Sequence, residues 1–413
     1  MTKSLDMIPA TDTIQPQTPE EMGEVVTEAC QTKQAIYPVG GATSLDYGLP
    51  AKAPGLAVSL QGLQRVVDYP ARDMTITVEV GATMRQIAEV LAAENQRLPI
   101  DVPAEEQATL GGVIATNWNG PRWYGQGSVR DYLIGVAAVD GHGTRFRGGG
   151  RVVKNVAGYD LCKLLTGSLG TLAILTEVTL KVKPIPEKTA LAVYPVTDLD
   201  ALETALAALV PSQTTPTAIE VVSGEEWNSL LGQEGSPDTW RLIVGLEGAA
   251  PEVTWMIDQL DSELGSLQMA RSALLLEDSA HTAWKALANW SADGDSPLVL
   301  KVQVLPSGVT RICQALRNLD AACGLQAHAG NGVVIAKFSS FPTAGLSRSL
   351  LGELQPLASS LGGYVTVLSN PSAAETTHQS VWGGIDIPHS LMARVKAQFD
   401  PHNLLNPGRF IYP

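Results

Sequence analysis

Apolar positions change their spacing along the chain, and each change marks a different element. Met22, Val25, Val26 and Ala29 recur at helical spacing behind a start signal in which Thr18 caps, Pro19 fits the first helical position and Glu21 completes a capping box. Residues 35–39 then read as a short strand entering Gly40 and Gly41. Further strands are predicted at 56–60 and 75–80, the second alternating as Ile76, Val78 and Val80, before Gly81 turns the chain into a helix boxed by Thr83 and Gln86. Residues 133–139, the turn Asp140-Gly141-His142-Gly143 and residues 144–147 read as a hairpin. Many short strands with interspersed helices make this part α+β.

The grammar changes at Lys183-Pro184-Ile185-Pro186, whose prolines cannot donate to a sheet ladder. Beyond it come strand 190–194, helix 199–209, strands 218–222 and 242–246 and helix 252–264. A second round follows: strand 298–304, helix 309–322, strand 332–338, helix 346–361 and strand 364–368. This alternation predicts helices packed on one face of an antiparallel sheet. Residues 387–399 read as an amphipathic helix stopped by the turn-formers of Asp400-Pro401-His402-Asn403-Leu404-Leu405-Asn406-Pro407-Gly408, a tail expected to return to the first domain. The expected domains are therefore 1–186, 187–384 and the tail 385–413.

With 413 residues and 45% hydrophobic content the chain can bury the cores of two domains. Its formal charge of −14, without a basic run, argues against a nucleic-acid partner, so a small anionic substrate would need a local cationic pocket. Cys30, Cys162, Cys313 and Cys323 have neither zinc nor iron–sulfur spacing and are expected to be reduced. The first residues lack the charged start and long apolar core of a signal peptide, and no apolar run reaches the length of a membrane span. A cytoplasmic location is expected, with any membrane attachment left to partners.

Three glycine-bearing stretches carry the candidate chemistry. In Pro38-Val39-Gly40-Gly41-Ala42-Thr43-Ser44, glycines let consecutive N–H groups converge on an anion while Thr43 and Ser44 add hydroxyls. Standing alone, the loop reads as an ordinary tight turn rather than a phosphate site. It is not GxGxxG, and no GxxxxGK[ST] occurs, which disfavours a nicotinamide Rossmann site and a P-loop. In the second stretch, Thr109, Gly111, Gly112, Ala115, Thr116, Asn117 and Gly120 combine close backbone approach with polar groups able to meet a ribityl chain or pyrophosphate. The third, with Gly167, Ser168, Gly170, Thr171 and Ile174, leads into the alternating strand 177–182 and offers a small-residue edge to a flat heteroaromatic ring.

In order, the segments YPVGGATSLDYG, ATLGGVIATNWNGPRWYGQGSVRDYLIGVAAVDGHG, VKNVAGYDLCKLLTGSLGTLAILTEVTLKVKP and FDPHNLLNPGRF resemble the FAD-binding oxidoreductases of the vanillyl-alcohol oxidase, or PCMH, superfamily. Within it the chain is similar to the E-subunit family of bacterial glycolate oxidase (glycolate dehydrogenase) complexes. The resemblance implies a two-part PCMH-type FAD-binding domain with a cap of antiparallel sheet plus helices. It implies that Gly40, Gly41, Thr43 and Ser44, at the end of the Pro38 loop, hold the FAD pyrophosphate, and that Thr109, Gly111, Gly112, Thr116 and Asn117 line the flavin and its linker. Gly167, Ser168, Gly170, Thr171 and Ile174 would lie beside the adenosine or the ring. It also implies oxidation of glycolate to glyoxylate within a hetero-oligomer containing a paralogous catalytic flavoprotein and an iron–sulfur subunit.

Departures from the family text set further expectations. Ala42 and Thr43 stand where members with covalent flavin often place a histidine, which predicts dissociable FAD. Where catalytic 2-hydroxyacid dehydrogenases of this type carry HxGDGNxH, this chain reads His328-Ala329-Gly330-Asn331-Gly332-Val333-Val334-Ile335, and residues 364–370 hold no acid or histidine. No metal is expected on this chain. Glycolate oxidation needs a base and a cation for the carboxylate. His328 is the candidate base, against the alternative of a histidine satisfying buried backbone groups. Arg122, Arg130, Lys154 and Arg409 are the candidate cations, and each can equally pair with acids. Trp118, Trp123 and Tyr124 are read as packing near the flavin or as core. His142, His281, His378, His389 and His402 lack ligand spacing. Two rivals remain: a self-sufficient FAD-dependent dehydrogenase of another small hydroxy acid or alcohol, and a non-catalytic scaffold.

Overall fold

A computed structural model describes residues 7–151, 158–231, 239–383 and 388–410. Its contacts separate two compact units, one of Met1–Asn119, Gly127–Ile185 and Asp386–Pro413, the other of Gly120–Gln126 and Pro186–Ile385. The short segment Gly120–Gln126, expected in the first domain, packs with the second because its residues bond there: Gly125 N donates to Thr217 O at 2.9 Å and Arg122 pairs with Glu247 at 2.9 Å.

The first unit joins a parallel sheet, ordered Ala10–Ile14, Gly55–Ser59, Ala35–Val39, to an antiparallel sheet ordered Val66–Asp68, Thr75–Glu79, Ile174–Lys181, Leu133–Val139, Arg145–Gly149. Ala10–Ile14, mostly exposed along its middle, is an edge strand held by backbone pairing. Helix Pro19–Thr32 starts at Thr18, whose hydroxyl accepts from Glu21 N, but the Glu21 carboxylate accepts from Gln17 N at 2.7 Å, so the expected box closes one residue early. The Thr83–Gln86 box forms in full and opens helix Met84–Ala92. Ile36, Ile76, Val78, Val80, Leu110 and Ile114 are fully buried in one core, each worth about 1.5–3 kcal/mol.

The second unit is built on an eight-stranded antiparallel sheet. Its first half runs Lys188–Val196, helix Leu199–Leu209, Ala218–Ser223, Trp240–Gly248, helix Ala250–Gly265 and Ala273–Leu276; the second runs Val299–Gln303, helix Val309–Leu319, Gly324–His328, Val333–Lys337, the helical stretch from Ser347 to Ser360 and Tyr364–Ser369. Each half lays its strands in the order fourth, first, third, second, the split βαβ arrangement, and the halves join where Ala218–Ser223 pairs with Gly324–His328. Tyr194, Val221, Leu242, Val244, Leu325 and Val334 point to one face, where those helices pack in one large core. Helix Glu277–Asn289 corrects the one-face expectation. Its Trp284 ring stands on the opposite face over Gly245, where a Cβ would lie 2.6 Å from the ring.

Candidate functional site

The first unit contains a cleft at the end of strand Ala35–Val39. Its walls come from Pro38 to Leu45, from Thr109, Gly112, Ala115 and Thr116, from Leu169, and from Asn406 and Arg409, with Ile8, Tyr37 and Tyr47 completing the lining. Segments far apart in sequence therefore meet. Gly40 and Gly41 make the approach possible: a Cβ at Gly40 would sit 2.0 Å from Thr109 Oγ1, and at Gly41 1.6 Å from Gln107 O. Leu169 N donates to Ala115 O and Gly167 N to Ile114 O, both at 2.9 Å, which ties the second stretch to the third.

Among the described residues no hydrogen bond engages the backbone N–H groups of Gly41, Ala42, Thr43 and Ser44. Ala42, Leu169 and Asn406, all lining the cleft, sit at φ of 55°, 52° and 44°, left-handed conformations that cost about 1–2 kcal/mol for Ala42 and Leu169 but that asparagine adopts readily. Such strain persists only where the surroundings impose it. The cleft offers about 100 Å³ of space and is open on one side.

Of the sequence candidates, Pro38, Gly40, Gly41, Ala42, Thr43, Ser44, Thr109, Gly112, Ala115 and Thr116 line this cleft. The others stand behind it or elsewhere. Gly111 lies against Val80; Ile174 and Thr171 are buried; Gly167 and Gly170, at φ 78° and 65°, and Ser168 shape the turn that presents Leu169. Asn117 caps helix Leu110–Thr116 at φ 51°, with its side-chain oxygen buried and unbonded. Gly120 packs with the second unit. Sequence reasoning missed Tyr37, Leu169 and Asn406, and only the tail's Asn-Pro-Gly-Arg text hinted at the last.

Arg409 is 7% exposed, and its Nη2 donates to the carbonyls of Leu45 and, at 2.9 Å, Tyr47, holding the loop from below. Burial pushes its guanidinium pKa down, opposed by the charges of Asp46 and Tyr37. Among the other cations, Arg122 donates from Nε and Nη2 to Glu247 Oε1 and lies 4.0 Å from the Trp284 ring centroid, so it docks its own segment on the sheet. Arg130 is exposed, and Lys154 lies outside the described residues. Trp118 packs against the first core, whereas Trp123 and Tyr124 belong to the second unit.

In the second unit His328 ends strand Gly324–His328 and is 3% exposed. Its Nδ1 lies 2.8 and 2.9 Å from the two oxygens of Glu220, which is 1% exposed and pairs with it across the seam of the sheet. Gln326 Nε2 donates to Glu220 Oε2 at 2.9 Å and to Leu287 O at 3.0 Å, fixing the carboxylate. Lys301 shares this sheet face: it pairs with Ile335, which pairs with Gln326, two residues from His328. Strand spacing puts the two Cα atoms roughly 12 Å apart. The Lys301 ammonium makes no hydrogen bond or ion pair among the described residues, and burial pushes its pKa below the ordinary 10.5. No candidate metal cluster occurs among the described residues, and no helix there is long and apolar enough to cross a membrane. Burial pushes the Cys162 and Cys313 thiols up to about 11 and about 12, which leaves them poor nucleophiles.

The family described as "FAD binding domain" matches residues 11–149, and "FAD linked oxidases, C-terminal domain" matches 185–366 and 388–410. The chain belongs to the FAD-linked oxidases. Like other members of this PCMH-type family it is an FAD-dependent oxidoreductase. It is 26% identical over 425 residues to the glycolate oxidase subunit GlcD of Bacillus subtilis, covering 96% of this chain and 88% of that one. With the glycolate oxidase subunit GlcE of Escherichia coli it shares 33% identity over 231 residues, covering 55% of this chain and 64% of that one. An alkyldihydroxyacetonephosphate synthase superposes with a TM-score of 0.71 at 18% identity over 96% of this chain and 75% of that one, a likeness of fold alone.

Proposed function

We propose that this chain is an E-type FAD-binding subunit of a complex that oxidises a small 2-hydroxy acid, glycolate to glyoxylate, alongside a paralogous catalytic flavoprotein and an iron–sulfur subunit. The likeness to both a GlcD and a GlcE subunit supports the substrate class. In this reading the loop Gly40–Ser44, with Pro38 and Ala42 shaping it, and the stretch Thr109–Thr116 hold dissociable FAD through its phosphates. The four unengaged N–H groups are the fit of this site to an anionic cofactor. Bound FAD supplies the acceptor for a hydride leaving the α-carbon.

The observation that carries the catalytic part is the His328–Glu220 pair. With Nδ1 facing the carboxylate, Nε2 is the nitrogen left to accept the substrate's hydroxyl proton, and Glu220 stabilises the imidazolium that forms. Lys301, absent from the sequence candidates, is the cation for the substrate carboxylate through a charge-assisted bond. The test is an anaerobic visible spectrum of the FAD-loaded chain before and after glycolate. Bleaching supports direct reduction; flavin that stays oxidised rejects it. A second reading, a relay or structural flavoprotein, draws on Asn331 and Ile335 standing in place of an acid and a histidine in the segment after His328.

A further inference from the structure

The tail reaches the cleft through a buried charge node. Lys396, 6% exposed on helix His389–Phe399, donates from Nζ to Thr171 O and Asp400 Oδ2 at 2.6 Å each and to Leu405 O at 3.1 Å. Asp400, 1% exposed, accepts from Leu404 N at 2.9 Å and Leu405 N at 2.7 Å. Every donor of the ammonium is used, and both carboxylate oxygens are engaged. The turn they fix then locks onto the first glycine strand, with Ile36 N to Leu404 O at 2.7 Å and Asn406 N to Ile36 O at 2.9 Å, while Asn406 Nδ2 reaches Leu169 O at 2.7 Å.

At the end of this chain of bonds, Arg409 lines the cleft with Nη2 spent on two loop carbonyls. Its side-chain hydrogen bonds among the described residues all leave from Nη2, and Asp46 is the carboxylate whose charge acts on it. A buried ion pair contributes little to net stability against an apolar replacement, so geometry is what the node supplies best. We propose that the tail is a cofactor latch, in which Lys396 and Asp400 are positioning residues that set Arg409 as the charge partner of the FAD phosphates. This rests on the reading of the cleft as the FAD site. The loop N–H groups then supply direction, and the guanidinium supplies the net charge that backbone alone lacks.

The experiment titrates the full-length chain, stripped of flavin, with FAD, following flavin fluorescence at low and high salt. A wild-type chain that takes up no FAD overturns the cofactor reading, and the latch with it. With wild-type binding in hand, Arg409→Gln is expected to raise Kd at least about tenfold and to flatten its salt dependence, because the screened charge is gone. Lys396→Met/Asp400→Leu is expected to raise Kd with the salt dependence intact, and to add nothing to Arg409→Gln, since both act through one group. Melting curves without FAD identify a variant that fails to fold. In that case Arg409→Lys, which keeps the charge without the fork, carries the test with a raised Kd and a preserved salt response. Wild-type Kd in either Arg409 variant, or additive effects of the node and Arg409, overturns the latch.

Discussion

The cleft of the first unit and the Glu220–His328 face of the second are made in opposite ways. The cleft is backbone chemistry: N–H groups unbonded among the described residues, two glycines admitting close approach and three left-handed residues along its lining, two of them strained. The second is side-chain chemistry, placed by register alone, because Glu220 and His328 are neighbours only where two four-strand halves meet. A backbone site fails when any side chain intrudes and tolerates change in what its residues are called upon to donate. A side-chain site keeps its fold through conservative changes and loses its chemistry. Single substitutions therefore separate the two.

The largest effect is expected at Gly41. Gly41→Val places atoms where Gln107 O already stands, 1.6 Å from the Cβ position, and is expected to abolish FAD binding and to cost about 3 kcal/mol in stability. Flavin titration and a melting curve measure both; FAD binding retained in this variant would break the contrast. Next comes His328→Gln, which leaves the cleft untouched. Its FAD Kd is expected to match wild type while kcat for glycolate falls about 10²- to 10⁴-fold. Loss of flavin from this variant would mean that the two regions are not independent.

The same difference explains what could be read in advance. Glycine loops and caps are local, so Gly40, Gly41, Thr109 and the Thr83–Gln86 box were visible in the sequence, and the fold class followed from apolar spacing. Glu220 was hidden inside the apolar strand Ala218–Ser223, and Gly324–His328 alternates Leu325 and Ala327 inward for too few residues to announce a strand. Lys301 is one charge among hydrophobic neighbours in Val299–Gln303, and only pairing with Val333–Lys337 brings it to the His328 face. Arg122 was legible as a cation but not as the partner of Glu247, 125 positions away. Leu169 and Asn406 were missed because neither is a glycine, although each adopts a conformation that favours one.

A smaller effect belongs to Lys301→Met. Loss of one charge-assisted bond of about 1.5–3 kcal/mol raises KM for the acid roughly 10- to 100-fold, with FAD binding unchanged.

The subtlest distinction lies in pH, because the cations of the two regions differ in kind. Arg409 keeps its charge throughout the working range, so cofactor affinity is expected to be flat through mildly alkaline pH. Lys301 has a folded pKa pushed below 10.5 by desolvation. Between that lowered value and 10.5 the unfolded chain binds more protons than the folded one, so wild-type stability rises with pH relative to Lys301→Met. Over the same window the ammonium that would hold a carboxylate is disappearing, so kcat/KM falls. Activity declining while stability climbs is a signature that general alkaline unfolding cannot produce. Parallel pH series of kcat/KM and of urea midpoints for wild type and Lys301→Met read it directly. An alkaline limb in kcat/KM that survives in Lys301→Met would remove Lys301 from the site and return the search for the substrate's cation to the rest of the His328 face.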